Sequence, residues 1–228
     1  MKEKAMSKSA LIVWGGWSGH EPEPVAGILA NALQENGFQV EVSNTLDTLK
    51  DIERLKALDL IVPVWTMGSI TQEQLNPLCE AVRGGVGIGG CHGGMCDSFR
   101  EATEYHFMTG GQWVAHPGND GVEYTVRIVN RDHFITQGAE DYVVRSEQYY
   151  LHTDPSNNVL AVTRFPTPGV DGPHVPNGAF DMPVIWTRYY GKGRVFYHSV
   201  GHNAAAVSQP ETLRLITRGL LWAARADA

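Results

Sequence analysis

A chain of 228 residues with a hydrophobic share of 43% can bury one large core without disulfides or other staples. Its formal net charge of −7 opposes a phosphate backbone, and no basic run or basic-aromatic stripe accompanies it, which argues against nucleic acid as a partner. No apolar run approaches the roughly 20 residues that cross a bilayer, and the start from Met1 to Ser9 is polar and lysine-bearing without a signal-peptide core, so the expectation is a cytoplasmic protein with no membrane partner.

The three cysteines, Cys79, Cys91 and Cys96, show no CxxC spacing, which speaks against a disulfide framework and a cysteine-based zinc site. Ala10 to Trp14 is a short apolar run ending in Gly15-Gly16, the pattern of a buried parallel strand. Pro22 and Pro24 suit a helix start, Val25, Ile28, Leu29 and Leu33 recur at helical spacing, and Gly37 suits the end. Phe38 to Val42 reads as a second strand. Leu46, Leu49, Ile52 and Leu55 share one helical face, and Asp59 to Trp65 follows as a third strand, weakened by Pro63. Thr71 can cap a helix carrying Leu75, Leu78 and Val82, after which Gly84 to Gly90 leads into Cys91-His92. Strand and helix alternate to that point, the signature of a parallel sheet covered on both faces.

The rhythm then changes. Tyr124 to Val129, Val159 to Thr163, Pro183 to Arg188 and Arg194 to His198 read as strands, and Pro210 to Arg225 as a last helix. The predicted fold is therefore α/β, a three-layer sandwich with a mostly parallel central sheet and a strand-rich C-terminal extension of it. With no repeat and no linker, the whole of 1–228 is expected to form one domain. Phe165 to Asp181 is long for a connection and is either a functional lid or a mobile surface loop.

Ligands of open parallel sheets bind outside the carboxyl ends of the strands. Of the nine histidines, His20 lies in the loop after the first strand, His92 directly after the glycine-rich strand, and His202 just past the strand containing His198. Packing a sheet needs no imidazole there, whereas acid-base and metal chemistry does. A solvated loop histidine is the plain alternative for each one singly. Gly89 to Met95, GGCHGGM, has the form of a tight strand-to-helix turn that leaves one side chain, His92 or Cys91, standing above the sheet. Gly85, Gly87 and Gly90 satisfy GxGxxG, but the helix precedes them and the strand follows, the reverse of a dinucleotide site.

The turn GGCHGG, His116-Pro117, DHFITQG from Asp132, SEQYY from Ser146 and the ending PVIWTRYYGKGRVFYHSVGHN from Pro183 to Asn203 together resemble the ThuA-like (trehalose-utilisation) family over about residue 9 to 225. The resemblance implies a fold similar to class I glutamine amidotransferases, or flavodoxin-like, and a role in using trehalose or related disaccharides. In the amidotransferase pattern His92 stands where the nucleophilic cysteine would be, His198 keeps the histidine position and Val200 replaces the orienting glutamate. A shifted register would restore Cys91. Without cysteine and carboxylate, thioester chemistry on glutamine has no machinery, so no glutamine amidotransferase activity is expected.

What remains is a histidine-rich cleft with Glu147, Tyr149 and His152 close by in sequence. The expected catalytic residues are His92, His202, Glu147 and His152, and the expected substrate contacts are His20, Trp17, Tyr149, His116 and His198. His20, His92 and His202 could alternatively hold a divalent metal such as zinc, although no HExxH-like spacing marks them. Trp14, Trp65, Trp186 and Trp222 read as core, Trp113 is undecided, and His133 suits a turn. His106 and His174 read as surface residues. The expected function is an enzyme of carbohydrate catabolism, a sugar isomerase, lyase or glycoside hydrolase, acting on a trehalose-like disaccharide or its 3-keto derivative. The small sugar is the expected partner, and a homo-oligomer stays open. The rival is a non-catalytic sugar-binding or partner-docking module on an amidotransferase-like scaffold.

Overall fold

The computed structural model describes residues 7–227; the lysine-bearing start expected to carry no signal core falls partly on residues 1–6, outside them. Strand β1 (Ser9–Gly16) leads through a 3-10 turn (Ser18–His20) into α1 (Pro22–Glu35), with prolines in its first turn. After β2 (Gln39–Ser43) the predicted helix over Leu46 to Leu55 is broken into a 3-10 turn (Leu46–Lys50) and α2 (Ile52–Lys56). Asp51 breaks it: its backbone is extended and its carboxylate accepts from the Arg54 amide at 3.1 Å, so it caps a new helix instead of continuing the old one. Strand β3 (Leu60–Thr66) precedes α3 (Gln72–Gly84), started by a Thr71–Gln74 capping box. Pro63 is accommodated because β3 registers with its neighbour β4 (Gly87–Cys91) only at Leu60 and Ile61.

A short α4 (Gly93–Cys96) and α5 (Thr103–Thr109) come next. They are followed by β5 (Gly111–Ala115), β6 (Val122–Ile128), β7 (Tyr142–Ser146), β8 (Tyr150–Thr153) and β9 (Asn158–Phe165). The hairpin of β10 (Phe180–Tyr190) and β11 (Gly193–His198), then α6 (Ala204–Val207) and α7 (Pro210–Ala223), complete the chain. Nine strands form one sheet in the order β2-β1-β3-β4-β11-β10-β9-β6-β7. It is parallel from β2 to β11 and antiparallel from β11 to β7, so the expected strand-rich extension makes the sheet mixed. Strands β5 and β8 pair only with each other; these two and β7 escape the sequence reading because they are short and lack a full apolar run.

Side chains of a strand alternate between faces. In β1, Ala10 and Ile12 enter one core with Leu29 and Leu33 of α1 and Leu220 of α7, whereas Leu11 and Val13 enter a second with Leu75, Leu78 and Val82 of α3. Trp186 and Trp222 are buried as expected, and Trp14 and Trp65 are partly buried against the cores. His133 does serve a turn, its Nδ1 accepting from the Ile135 amide at 3.2 Å.

Two histidines correct the surface expectation. His174, in the segment between β9 and β10, is only 6% exposed and lies among Tyr150, Phe165 and, through Tyr150, Phe180. His106 is half-buried, with Nδ1 turned to the Gly111 carbonyl at 3.3 Å. His174 sits in no apolar sequence pattern, so only the packing reveals it, whereas His106 is flanked by Tyr105, Phe107 and Met108. Among the described residues no helix is long and apolar enough to cross a membrane.

Candidate functional site

Four side chains distant in sequence meet beyond the carboxyl ends of β1, β4 and β11. His20, His92, Glu147 and His202 are all buried, and one candidate ligand atom from each lies within 4.8 Å of every other. His20 is delivered by the 3-10 turn after β1, with Nδ1 2.8 Å from the Thr66 hydroxyl at the end of β3. Its Nε2 faces Glu147 Oε2 at 3.8 Å.

His92 occupies the strand-to-helix turn with φ 51° and ψ −139°, a positive-φ conformation that non-glycine residues rarely adopt. The side chain that stands above the sheet is thus His92, while Cys91 turns into the core and is 4% exposed. Burial pushes the Cys91 thiol up to about 12, far from the thiolate a nucleophile needs. The His92 amide donates to the His198 carbonyl at 2.8 Å, and its Nδ1–H donates to the Ser199 carbonyl at 2.7 Å. Since a carbonyl can only accept, this fixes the proton on Nδ1 and leaves Nε2 facing Glu147 Oε2 at 3.1 Å.

Two glycines let the histidines come together. A Cβ at Gly93 would sit 2.7 Å from the His20 ring and 2.8 Å from the Thr66 hydroxyl. At Gly201, with φ 150°, a Cβ would meet the Cys91 sulfur at 2.8 Å and His92 Cβ at 3.3 Å, so only glycine lets the chain carrying His202 pass over the turn. His202 then presents Nδ1 3.3 Å from Glu147 Oε2.

Glu147 follows β7 in a short irregular stretch held by its neighbours. Tyr124 donates its hydroxyl to the Glu147 carbonyl at 3.0 Å, and the Gln148 amide donates to the Thr163 hydroxyl at 2.8 Å. Tyr149 is buried and stacks on His92, with ring centres 3.8 Å apart, so it braces the imidazole from behind. His116, with 30% of its side chain exposed, brings Nε2 to 3.7 Å from Glu147 Oε1, and Trp113 lies 5.5 Å from its ring. Trp17, 45% exposed, sits on the rim 4.8 Å from His20.

Two expected contacts are not brought to the cluster. His152 is exposed on β8, and no hydrogen bond or ring contact joins it to the cluster; in the strand alternation its neighbour Leu151 takes the inward position. His198 lies beneath the site and is fully buried, with Nε2 bonded to the Tyr142 hydroxyl at 3.0 Å and Nδ1 accepting from the Val200 amide at 3.0 Å. It shapes the floor and has no ring atom left for a substrate. Thr66 and the Ser199 carbonyl, which orient two of the imidazoles, carry no signal in the sequence.

The electrostatics are those of too many acceptors. Burial pushes the Glu147 carboxyl up, but the three imidazoles of His20, His202 and His92 around it outweigh that and hold the group well below the usual carboxylate range. Burial lowers His92 to about 4 against the pull of Glu147. His202 is raised, chiefly by the Glu147 carboxylate beside it, against burial, with the charges of Asp120 and Glu21 adding to the rise. With its proton on Nδ1, a neutral His92 points an Nε2 lone pair at a carboxylate oxygen, a contact that either a proton on Nε2 or a cation between the two would satisfy. The ligand set fits a cation. Tetrahedral zinc with Zn–N and Zn–O bonds of about 2.0–2.1 Å puts its donors roughly 3.3 Å apart; the separations from Glu147 Oε2 are 3.1, 3.3 and 3.8 Å, while the set as a whole spreads to within 4.8 Å, so the outer imidazoles would close in on one ion. His92 also donates its other ring N–H to a backbone carbonyl, the usual support of a metal-ligating imidazole.

A family model described as "ThuA: Trehalose utilisation" matches residues 9–223. A protein described as ThuA-like from Parabacteroides merdae is 18% identical, covering 96% of this chain and 90% of that one, with a TM-score of 0.74. Another from Bacteroides uniformis is 16% identical, covering 98% and 94%, with a TM-score of 0.75. A protein of Salmonella typhimurium described as cytoplasmic is 12% identical, covering 95% and 98%, with a TM-score of 0.63. At these identities the likeness is one of fold. No curated protein matches the sequence.

Proposed function

The chain belongs to the ThuA trehalose-utilisation family, and from that premise we propose that it is a carbohydrate-catabolism enzyme using a divalent, zinc-like ion held by His20, His92, His202 and Glu147. The convergence of four buried donor atoms within 4.8 Å carries this reading. When bound, such an ion supplies Lewis-acid polarisation of a sugar oxygen.

Glu147 is ionised and engaged with three imidazoles, so it is not a free acid that could protonate a glycosidic oxygen as a two-carboxylate glycosidase does. Proton movement beside a carbonyl suits the residues better, which favours isomerisation or elimination of a 3-keto disaccharide over direct hydrolysis. His116, half-open to solvent beside Glu147, is placed to move that proton. Trp17 at the rim and Trp113 behind His116 offer aromatic faces to the apolar side of a sugar ring.

The same reading takes the chain as one domain, supported by the span of the family match, with a flavodoxin-like layering supported by the two cores on opposite sheet faces. It places the protein in the cytoplasm without a nucleic-acid partner, in keeping with the formal net charge of −7.

The test is metal analysis of protein purified without a histidine tag, joined to NMR-monitored incubation with trehalose and 3-keto-trehalose. The expected result is about one divalent ion per chain and turnover that chelation abolishes and re-addition restores. Turnover by ion-free protein would replace the metal with histidine acid-base chemistry. Binding shifts without product would make the protein a sugar-binding module.

A further inference from the structure

A turn at the start of the long connection between β9 and β10 touches two segments of the site. Thr167 to Val170 has the form of a type II turn: Pro168 stands at the second position, Gly169 at the third with φ 80°, and the Val170 amide donates to the Thr167 carbonyl at 3.0 Å. We infer that this turn is a clip that sets the His116–Glu147 pair, with Thr167 a positioning residue for Glu147 and Val170 one for His116. The inference deepens the reading above and takes from it the roles of those two site residues.

One end of the clip holds Glu147 through its neighbour. Thr167 donates its hydroxyl to Gln148 Oε1 at 2.5 Å, and the Gln148 NH2 group donates to the Thr163 hydroxyl at 2.8 Å and to the Arg164 carbonyl at 3.1 Å. Gln148 is fully buried, so removing the Thr167 hydroxyl would strand its carbonyl oxygen away from water. Gln148 directly follows Glu147, whose carbonyl accepts from Tyr124. The Glu147 backbone is thus tied to β6 through its own carbonyl and to the clip through the next side chain.

The other end lies against the loop that carries His116. A Cβ at Gly118 would sit 3.2 Å from each methyl carbon of Val170 and 2.6 Å from one of Val122. With φ 87° as well, only glycine lets the loop come this close. Gly118 is two residues past His116, and the Asn119 amide closes a turn on the His116 carbonyl at 2.9 Å. Because one hydrogen bond joins Thr167 to Val170, their two contacts keep a fixed spacing, and with it the 3.7 Å between His116 Nε2 and Glu147 Oε1. Farther along, His174 pins the connection, its ring edge-on to Phe165 and to Tyr150, the residue after Tyr149. A connection that only joined two strands would need none of these contacts.

The experiment compares Thr167→Val, Thr167→Ser and Val170→Ala with the unaltered protein by two readouts. One is zinc affinity, from competition with a chelator; the other is the set of histidine ring signals in long-range proton–nitrogen NMR of the ion-free protein. Thr167→Val keeps the shape and removes the hydroxyl, so zinc affinity should fall about tenfold, the low end for a group that supports a ligand from outside. Thr167→Ser, which keeps the hydroxyl, should restore it. Val170→Ala should shift the His116 signal and leave zinc affinity within about twofold, because His116 is not among the four converging donors. Zinc affinity and ring signals unchanged in Thr167→Val would overturn the clip, as would a Thr167→Ser protein that binds zinc as weakly as Thr167→Val. Should Thr167→Val not fold, Val170→Ala decides, since an unmoved His116 signal contradicts the clip. If the unaltered protein binds no zinc, the metal reading fails and the ring signals alone test the clip: His92 should then move in Thr167→Val and His116 in Val170→Ala, and stationary signals overturn it.

Discussion

His92 Nε2 and Glu147 Oε2 stand 3.1 Å apart across a sequence separation of 55 residues, with the His92 proton committed to the Ser199 carbonyl on the far side of the ring. An acceptor thus faces an acceptor in a buried place, a conflict that the proposed ion would resolve. Glu147→Gln keeps the shape and removes the charge. It should lower affinity for the ion by at least about 100-fold, the upper range seen even for outer-shell partners, and abolish turnover. Ion content and rate equal to the unaltered protein would defeat the metal assignment.

The Thr66 hydroxyl meets His20 Nδ1 at 2.8 Å. Thr66→Val keeps the side-chain size and removes the hydroxyl that orients the ring, so ion affinity should fall by about 10–100-fold. Competition against a chelator of known affinity measures it. No change would mean that His20 is held by packing alone.

Gly93→Ala places a methyl group 2.7 Å from the His20 ring and 2.8 Å from the Thr66 hydroxyl, both of which must shift. Far-ultraviolet circular dichroism should stay native while ion binding weakens. Full ion binding in this variant would show that His20 is not a ligand.

His116 and His152 were both expected at the site, yet only His116 reaches Glu147. His116→Ala should cut kcat by about 10²–10⁴-fold, the usual worth of a positioned acid or base. His152→Ala should leave kcat and KM within about twofold, as expected of a surface change. The reverse ranking would move the proton-transfer role to β8.

His198 is lowered from 6.5 to about 3 by burial, with the charge of His92 adding to it. The unfolded chain therefore binds a proton that the folded chain refuses between those values. This contribution is complete above about pH 6.5 and is lost as the pH falls towards 3, at up to about 1.4 kcal/mol per pH unit. Urea unfolding at pH 7, 5.5 and 4.5 should show a steeper loss for the natural protein than for His198→Gln. Because that variant could fold poorly, ring NMR of the natural protein gives a second readout. A His198 ring already charged at pH 5 contradicts the assignment.

The amino-acid sequence by itself determined the alternating first half, the strand-rich continuation and the position of His20, His92 and His202 at the strand ends where they meet. Apolar periodicity specifies strands and helices locally, and loops at the carboxyl ends of parallel strands converge wherever such a sheet forms. Tertiary structure alone decided which polar residues join them. Glu147 and His152 sit in the same SEQYYLHTD stretch, but Glu147 precedes β8 and turns inward, whereas His152 falls on the outward side of that strand. The Thr66 hydroxyl and the Ser199 carbonyl orient imidazoles 46 and 107 residues away, and His198 is withdrawn from the cleft by bonds to Tyr142 and Val200. Such pairings depend on distances between chain segments that meet only after folding, and no local pattern of residue types encodes a distance.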